Sequence, residues 1–334
     1  MHGKPTYLNP KAKYIWGDVR DKDIVIMALE NVDAVYHFAA YQDYSLDFST
    51  FFYVNSVGTA LLYEIIVENN LPINKVIVAS SQFVQGEGIY RSKDGVLSYP
   101  ERRTNKQLRS SQWDFLDETG TTLQWQWTDE SYANPPNQYA MSKYSQELMA
   151  LRFGKAYEIP SVVLRYSIVQ GARQSLYNTY SGACRIFSLS YYNNKSPVLY
   201  EDGLMCRDFI NIKDVISANL LMLENDSVQN QVFCVGGGKA YTISEFAKEV
   251  ATMYELENLL PTVTGEYRYG DTRNACSDIS KIKKLGWSPK KTIQDSILEY
   301  KDYINEQDNL KYLVEYSKKQ MKKMNIIRQT EKQI

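Results

Sequence analysis

The chain has 334 residues, enough for one large or two modest domains, and 44% of them are hydrophobic, enough for a sizeable core. A formal net charge of −1, with acids and bases mixed along the chain, gives no broad field for nucleic acid, and no apolar run approaches the eighteen or so residues of a membrane span. Neither partner is expected, and four scattered cysteines with only His2 and His37 predict no metal site, reduced thiols and, without a signal-peptide pattern, a cytoplasmic protein.

Residues 13 to 85 alternate short apolar strands with helices. Tyr14-Ile-Trp16 reads as a strand running into Gly17-Asp18-Val19-Arg20-Asp21, and a helix of about ten residues follows. Ala34-Val-Tyr-His37 is the next strand, Val54 to Val67 a helix, and Lys75 to Ala79 a third strand ending in Ser80 and Ser81. Such alternation predicts a parallel sheet covered on both faces. From 88 to 132 the periodicity fades into a polar, aromatic-dotted insertion, and loops of that length are functional or disordered more often than incidental. Helical patterning returns at Pro136 to Tyr157, and Ser161 to Tyr166 is another buried strand. Beyond residue 175 a smaller α/β lobe follows, with helices through Ile186 to Tyr192, near 243 to 254 and near 291 to 305, and strands at Val198 to Tyr200 and Gln231 to Val235. The lysine-rich stretch 306–334 reads as a docked helix with a fraying tail. The chain thus divides into 1–174 with its insertion, 175–305, and a charged helical tail.

The chemistry gathers at Tyr139 and Lys143. A Tyr-x-x-x-Lys spacing is weak evidence in a chain with 27 tyrosines, and it also occurs at Tyr7/Lys11 and Tyr191/Lys195. Tyr139/Lys143 differs because it lies on a long helix that follows a strand ending in serines. Positions i and i+4 share a helix face, so phenol and ammonium can point together into a cleft at the sheet's C-terminal edge. A phenol of ordinary pKa near 10 that acts as a base around pH 7 needs about 4 kcal/mol of help. An ammonium at about 5 Å, at an effective dielectric near 20, supplies about 3 kcal/mol. Ser81 is placed to hydrogen-bond the same substrate oxygen.

Taken together, Gly17-Asp-Val-Arg-Asp21, His37-Phe-Ala-Ala40, Asn55-Ser-Val-Gly-Thr59, Ser80-Ser81, Tyr139 to Lys143, Leu164-Arg-Tyr166, Arg207 to Asp214 and Arg273 resemble the extended short-chain dehydrogenases of the NAD-dependent epimerase/dehydratase family, which act on nucleotide sugars. The resemblance covers about residues 13 to 300. It implies a Rossmann-like doubly wound parallel sheet with a smaller α/β substrate-binding lobe, NAD as cofactor, a nucleotide-diphosphate sugar as substrate and a homodimer paired through two long helices. It also implies roles: Ser81, Tyr139 and Lys143 catalytic; Asp18 and Val19 at the adenine side; Ala39, Ala40 and Asn55 along the cofactor; Gln82, Arg207 and Arg273 at the substrate, the two arginines on its diphosphate. Taken alone, Asp18 also reads as the N-cap of the helix that follows it.

Where sugar-nucleotide dehydratases carry acids after the catalytic hydroxyl, this sequence has Gln82 and Phe83, which disfavours dehydration and decarboxylation. The insertion, Leu164 to Gly171 and Tyr267 to Arg273 are most similar to the dTDP-L-rhamnose 4-epimerase branch, with Gln85 and Ile168 as departures. The expected activity is 4-epimerisation through a 4-keto sugar. A further departure is the opening, Met1-His-Gly-Lys-Pro-Thr-Tyr-Leu, which holds no first strand and no G-x-x-G-x-x-G turn. An N-terminally truncated domain is expected, and the alternatives are an inactive sugar-nucleotide-binding protein or another nucleotide-sugar dehydratase or decarboxylase. Val235-Gly-Gly-Gly238 and Gln85-Gly-Glu-Gly88 read as turns, not as substitutes for the missing motif.

Overall fold

The computed structural model describes residues 7–43, 46–178, 182–308 and 310–331. Its main sheet has four parallel strands, β1 (Ala34–His37), β2 (Lys75–Ser81), β3 (Ser161–Tyr166) and, from later in the chain, Gln231–Val235, in that spatial order. β2 and β3 are apolar, rich in valine and buried along nearly their whole length, as strands covered on both faces must be. Gln231–Val235 falls in the range expected for the second lobe, yet it pairs with β3 from Gln231↔Val162 to Val235↔Tyr166.

The stretch Tyr14–Trp16 forms no strand, contrary to its pattern: among the described residues no neighbour pairs with it, and Trp16 and Tyr14 are exposed. Helix α1 (Lys22–Leu29) is capped by Asp21, whose carboxylate accepts from Asp23 N and Ile24 N at 3.1 and 3.2 Å. The cap is therefore not Asp18.

Helix α2 (Phe48–Glu68) is the one helix among the described residues long and apolar enough to cross a membrane. Half of its apolar stretch is buried, with Leu62, Tyr63, Ile65 and Ile66 in the core beside β1 and β2, which is the environment of an interior helix. Midway it widens into a π-helical segment, Phe52–Val57, centred near Asn55. Helix α3 (Gln138–Ala156) starts after two prolines, with the Asn137 side chain accepting from Ala140 N at 2.9 Å. Its buried face carries Tyr139, Lys143 and Glu147 at successive i+4 positions.

The insertion is ordered. Ile89–Arg91 pairs antiparallel with both Leu97–Ser98 and Gln124–Gln126, Asn105–Arg109 is a short helix closed by a Thr104/Gln107 capping box, and Trp113, Phe115 and Leu123 are buried.

The second lobe contains β4 (Ile168–Gln170), α4 (Ala183–Tyr192), β5 (Cys206–Asn211), β7 (Ala240–Thr242), α6 (Ile243–Met253), β8 (Asn274–Ala275) and α7 (Ile293–Asn305), while between β5 and β7 the chain returns to the main sheet with α5 (Ile212–Glu224) and β6 (Gln231–Val235). β5 is the centre of the lobe, paired with β4, β7 and β8. The Gly236–Gly238 turn packs on Asp208, whose carboxylate accepts from Gly237 N at 2.8 Å; a Cβ at Gly236 would meet that carboxylate at 1.9 Å. The tail is docked: α8 (Leu313–Lys323) packs against α4, and Ile327–Gln329 forms a strand antiparallel to Glu266–Arg268. Residues 332–334, the expected fraying end, lie outside the described residues.

Candidate active site

The end of β2, the start of α3 and the second lobe enclose a cleft of about 840 Å³. Ser81, Gln82, Tyr139, Lys143, Ala40 and Arg207 all border it. Six of the residues singled out in the sequence therefore meet at one place.

At one end the Ser81 hydroxyl stands beside the Tyr139 phenol. Burial pushes that phenol up to about 12, only partly offset by Ser81. The same burial lowers Lys143 to about 7, opposed by the Glu147 carboxylate one turn along the helix. Removing both groups from water disfavours phenolate and ammonium alike. Gln82 is buried, and both polar atoms of its amide lack a protein partner while the residue borders the cleft. A buried amide without partners is costly, and this one is open to a group in the cleft.

Beneath lies a buried polar frame. Glu147 forms a bidentate pair with Arg165, Oε1 to Nε at 2.9 Å and Oε2 to Nη2 at 2.8 Å, and accepts the Ser80 hydroxyl. Arg165 also donates to the Tyr132 and Glu130 carbonyls, fastening the segment that leads into α3. His37 meets Thr59 Oγ1 at 2.9 Å, and burial together with the Lys143 charge lowers its pKa to about 4. Glu147 was not foreseen as part of the site; its position two helical turns from Tyr139 was the available signal.

Other expected residues sit elsewhere. Asn55 is wholly buried and its amide is fully engaged: Oδ1 accepts from Tyr41 N at 2.7 Å, and Nδ2 donates to the Tyr41 carbonyl and to Ser142 Oγ. It ties α2, the chain after β1 and α3 together, and supports the site without bordering it. Asp18 is exposed and paired with Arg20 at 2.6 Å, which holds its carboxyl down to about 2. Val19 packs against α2 at Gly58. Ala39 is half-buried beside the cleft but does not border it.

Arg102, Arg207, Arg268 and Arg328 form a second group that borders the same cleft. Arg207 donates to the Cys206, Thr272 and Arg273 carbonyls at 2.8 to 3.1 Å, its nearest carboxylate being Asp271 at 3.8 Å. Arg102 and Arg328 both stack on Tyr269, with guanidinium carbons 4.6 and 4.2 Å from the ring centre. Arg273 is placed otherwise in this structure. Its guanidinium is engaged by Asp202 at 2.7 and 2.9 Å, Asp114 at 2.8 Å and Glu201 at 3.3 Å, and it does not border the cleft. With Arg103, which grips Glu201 at 2.7 and 2.9 Å, it forms a buried knot between the insertion and the second lobe. The cleft-side cation of that loop is Arg268.

The two other Tyr-x-x-x-Lys pairs are ordinary. Tyr191 is a core residue donating to the Leu259 carbonyl, Lys195 pairs with Glu315, and Tyr7 lies under Arg173.

Known proteins supply an independent comparison. The model of the NAD dependent epimerase/dehydratase family matches residues 2–106, and that of GDP-mannose 4,6 dehydratase matches 120–300. A dTDP-L-rhamnose 4-epimerase of Burkholderia thailandensis is 32% identical over 307 residues, covering 90% of this chain and 83% of its own. The chain belongs to the NAD-dependent epimerase/dehydratase family. Among solved structures, this family member resembles the UDP-glucose 4-epimerase of Thermotoga maritima with UDP-glucose, with TM-score 0.73, 24% identity and coverage of 91% and 87% of the two chains. A UDP-N-acetylglucosamine 4-epimerase of Methanobrevibacter ruminantium gives TM-score 0.67 at 27% identity, covering 86% and 81%.

The family is NAD-dependent, and the residues at the chemistry end fit the cofactor's nicotinamide-ribose half. Lys143 brings donors for ribose hydroxyls, Gln82 an unpartnered amide, and Ala40 and Ala79 leave the cleft wall free of bulk. Asp18, away from the cleft and held by Arg20, contributes no comparable fit for the adenine half.

Proposed function

We propose that the protein is a nucleotide-sugar 4-epimerase, with dTDP-L-rhamnose the first substrate to test. The reading is carried by one cleft that joins a Ser81, Tyr139 and Lys143 set to a group of arginines. The carboxylates bordering the cleft among the described residues are Asp43 and Asp271, and neither adjoins Ser81 in the chain, where Gln82 and Phe83 follow. A set with proton-transfer groups for one hydroxyl and no acid for a second suits epimerisation better than dehydration.

Held by Lys143 and the residues around it, NAD would supply a reversible hydride acceptor for C4 of the sugar and a positive ring that favours the phenolate. Tyr139 takes the proton of the C4 hydroxyl and gives it back, while Ser81 holds the same oxygen. Lys143 orients the ribose and stabilises the phenolate. Arg207 and Arg268 hold the diphosphate, so that the 4-keto sugar can turn about its tether and present its other face.

The same reading includes a cytoplasmic homodimer. Phe52, Tyr53 and Val57 on α2 and Met141 and Leu148 on α3 expose large apolar side chains on the two long helices, and four unpaired cysteines suit a reducing compartment.

The test is proton NMR of dTDP-L-rhamnose incubated with the protein and NAD⁺ in deuterated water. Appearance of the C4 epimer without deuterium at C4 supports the reading. No epimer from this or other nucleotide sugars, with NAD⁺ demonstrably bound, would refute it.

A further inference from the structure

We propose that Arg102, from the insertion, and Arg328, from the tail, are positioning residues for substrate binding: both grip the Tyr269 ring and thereby aim the neighbouring Arg268 into the cleft. The inference rests on the nucleotide-sugar reading above, in which Arg268 meets the diphosphate, and deepens it. Arg268 ends a strand of three residues, Glu266–Arg268, which pairs with the tail strand Ile327–Gln329. A pair of strands that short has little stability of its own in water. The chain turns directly after it. Gly270 has a φ of +96°, Asp271 N donates back to the Arg268 carbonyl at 3.2 Å, and Arg268 Nη2 meets the Asp271 carboxylate at 2.6 Å. The direction in which Arg268 points therefore depends on what holds this turn.

Tyr269 is the residue held most firmly. Its N–H donates to the Ile326 carbonyl of the tail at 3.0 Å, and its hydroxyl accepts from Arg102 Nη2 at 2.9 Å. The guanidinium carbons of Arg102 and Arg328 lie 4.6 and 4.2 Å from the ring centre, and ring and arginines are all half-buried, where a cation over an aromatic face is worth more than in open water. Among the described residues, the hydrogen bonds of the two guanidiniums go to Tyr269, Asn105 and the Asn325 carbonyl, none of them a carboxylate. The ring face is thus their charge complement. Asn105 Oδ1 accepts from Arg328 Nη1 and from the Tyr267 hydroxyl, both at 3.0 Å, which ties the insertion to the tail and to the strand that carries Arg268. Insertion, turn and tail meet at one ring beside Arg268, and all three border the cleft. Loosening the ring would free the turn and let Arg268 swing with it.

The experiment is calorimetric titration of thymidine diphosphate (TDP) into the full chain, into Arg328→Gln, Tyr269→Leu and Tyr269→Phe, and into each of these combined with Arg268→Gln, with thermal melts reporting folding. Arg328→Gln keeps an amide on a half-buried tail residue, which guards against a variant that fails to fold. Tyr269→Leu and Arg328→Gln are each expected to weaken TDP binding about three- to tenfold, no more than Arg268→Gln does. Beside Arg268→Gln they should weaken it no further, the signature of residues that act through Arg268. Tyr269→Phe keeps the ring and should stay within about twofold of wild type. Arg109→Gln removes an exposed contact of the same tail, to Glu331 at 3.0 Å, and should leave the affinity unchanged, which separates the grip on Tyr269 from tail docking in general. Unchanged affinity in the folded Tyr269→Leu and Arg328→Gln variants would overturn the proposal while leaving the nucleotide-sugar reading standing. A loss that persists in full beside Arg268→Gln would also overturn it, because the two arginines would then meet the anion themselves. A wild type that binds neither TDP nor UDP would overturn both.

Discussion

The two ends of the cleft treat charge in opposite ways. At the chemistry end, burial outweighs the one counter-charge near Lys143, a Glu147 already paired with Arg165: Lys143 falls to about 7, and His37 falls to about 4. Near the anion end, equally buried arginines are matched with carboxylates, and Arg103 and Arg273 are held above the usual arginine range by Glu201 and Asp202 despite their burial. The difference teaches that burial alone does not set charge; the partner buried alongside does. One end can therefore exchange protons near neutrality while the other stays cationic at any working pH.

Tyr139→Phe is the sharpest way to test that separation. It is expected to lower kcat by about a thousandfold, the scale of a lost general base, with nucleoside diphosphate affinity unchanged within about twofold. Turnover and calorimetry on the same preparation check this, and a parallel loss of affinity would show that the two ends are not independent. Next in size is Glu201→Ala. It leaves Arg103 and Arg273 with a buried partner removed, and is expected to cost about 3 to 5 kcal/mol in urea unfolding. A loss below about 1 kcal/mol would mean that the knot does not hold the insertion to the second lobe.

The chemistry end was legible in the sequence because it is built from one strand end and one helix turn. Ser81 follows an apolar run that becomes β2, and Tyr139 and Lys143 share a helix face by spacing alone. The anion end was legible only in part. Arg102 comes from the insertion, Arg207 from β5, Arg268 from a later strand and Arg328 from the tail, and no local period links them. Arg273 and Arg268 lie five positions apart on one loop, and which of them reaches the cleft depends on Asp114, Glu201 and Asp202 arriving from elsewhere. Tyr14–Trp16 failed for a related reason, since a strand pattern makes a strand only beside another strand.

The weakened histidine gives a pH test of the chemistry end. His37 has a folded-state pKa of about 4 against about 6.5 unfolded, so between those values the unfolded chain binds a proton that the folded protein does not. Stability is therefore lost as pH falls through that window, by about 3 kcal/mol in full. His37→Gln, which keeps a partner for Thr59, removes this term, so its stability relative to wild type should rise by that amount between pH 7 and pH 4. Urea unfolding of both proteins at the two pH values decides it; an unchanged difference would mean that His37 takes up its proton without cost.

The smallest expected effect separates the two arginines of the 268–273 loop. Arg268 borders the cleft and Arg273 does not, so Arg268→Gln should raise KM about tenfold with kcat nearly unchanged, the loss of one charge-assisted contact made equally in ground and transition states. Arg273→Gln should instead lower stability, because it strips the buried Glu201 and half-buried Asp202 of a shared partner, while KM at a temperature where the variant is folded stays within about twofold. If the KM effects were reversed, the diphosphate would lie against the knot, and the cleft's cationic end would have to open on binding to expose Arg273.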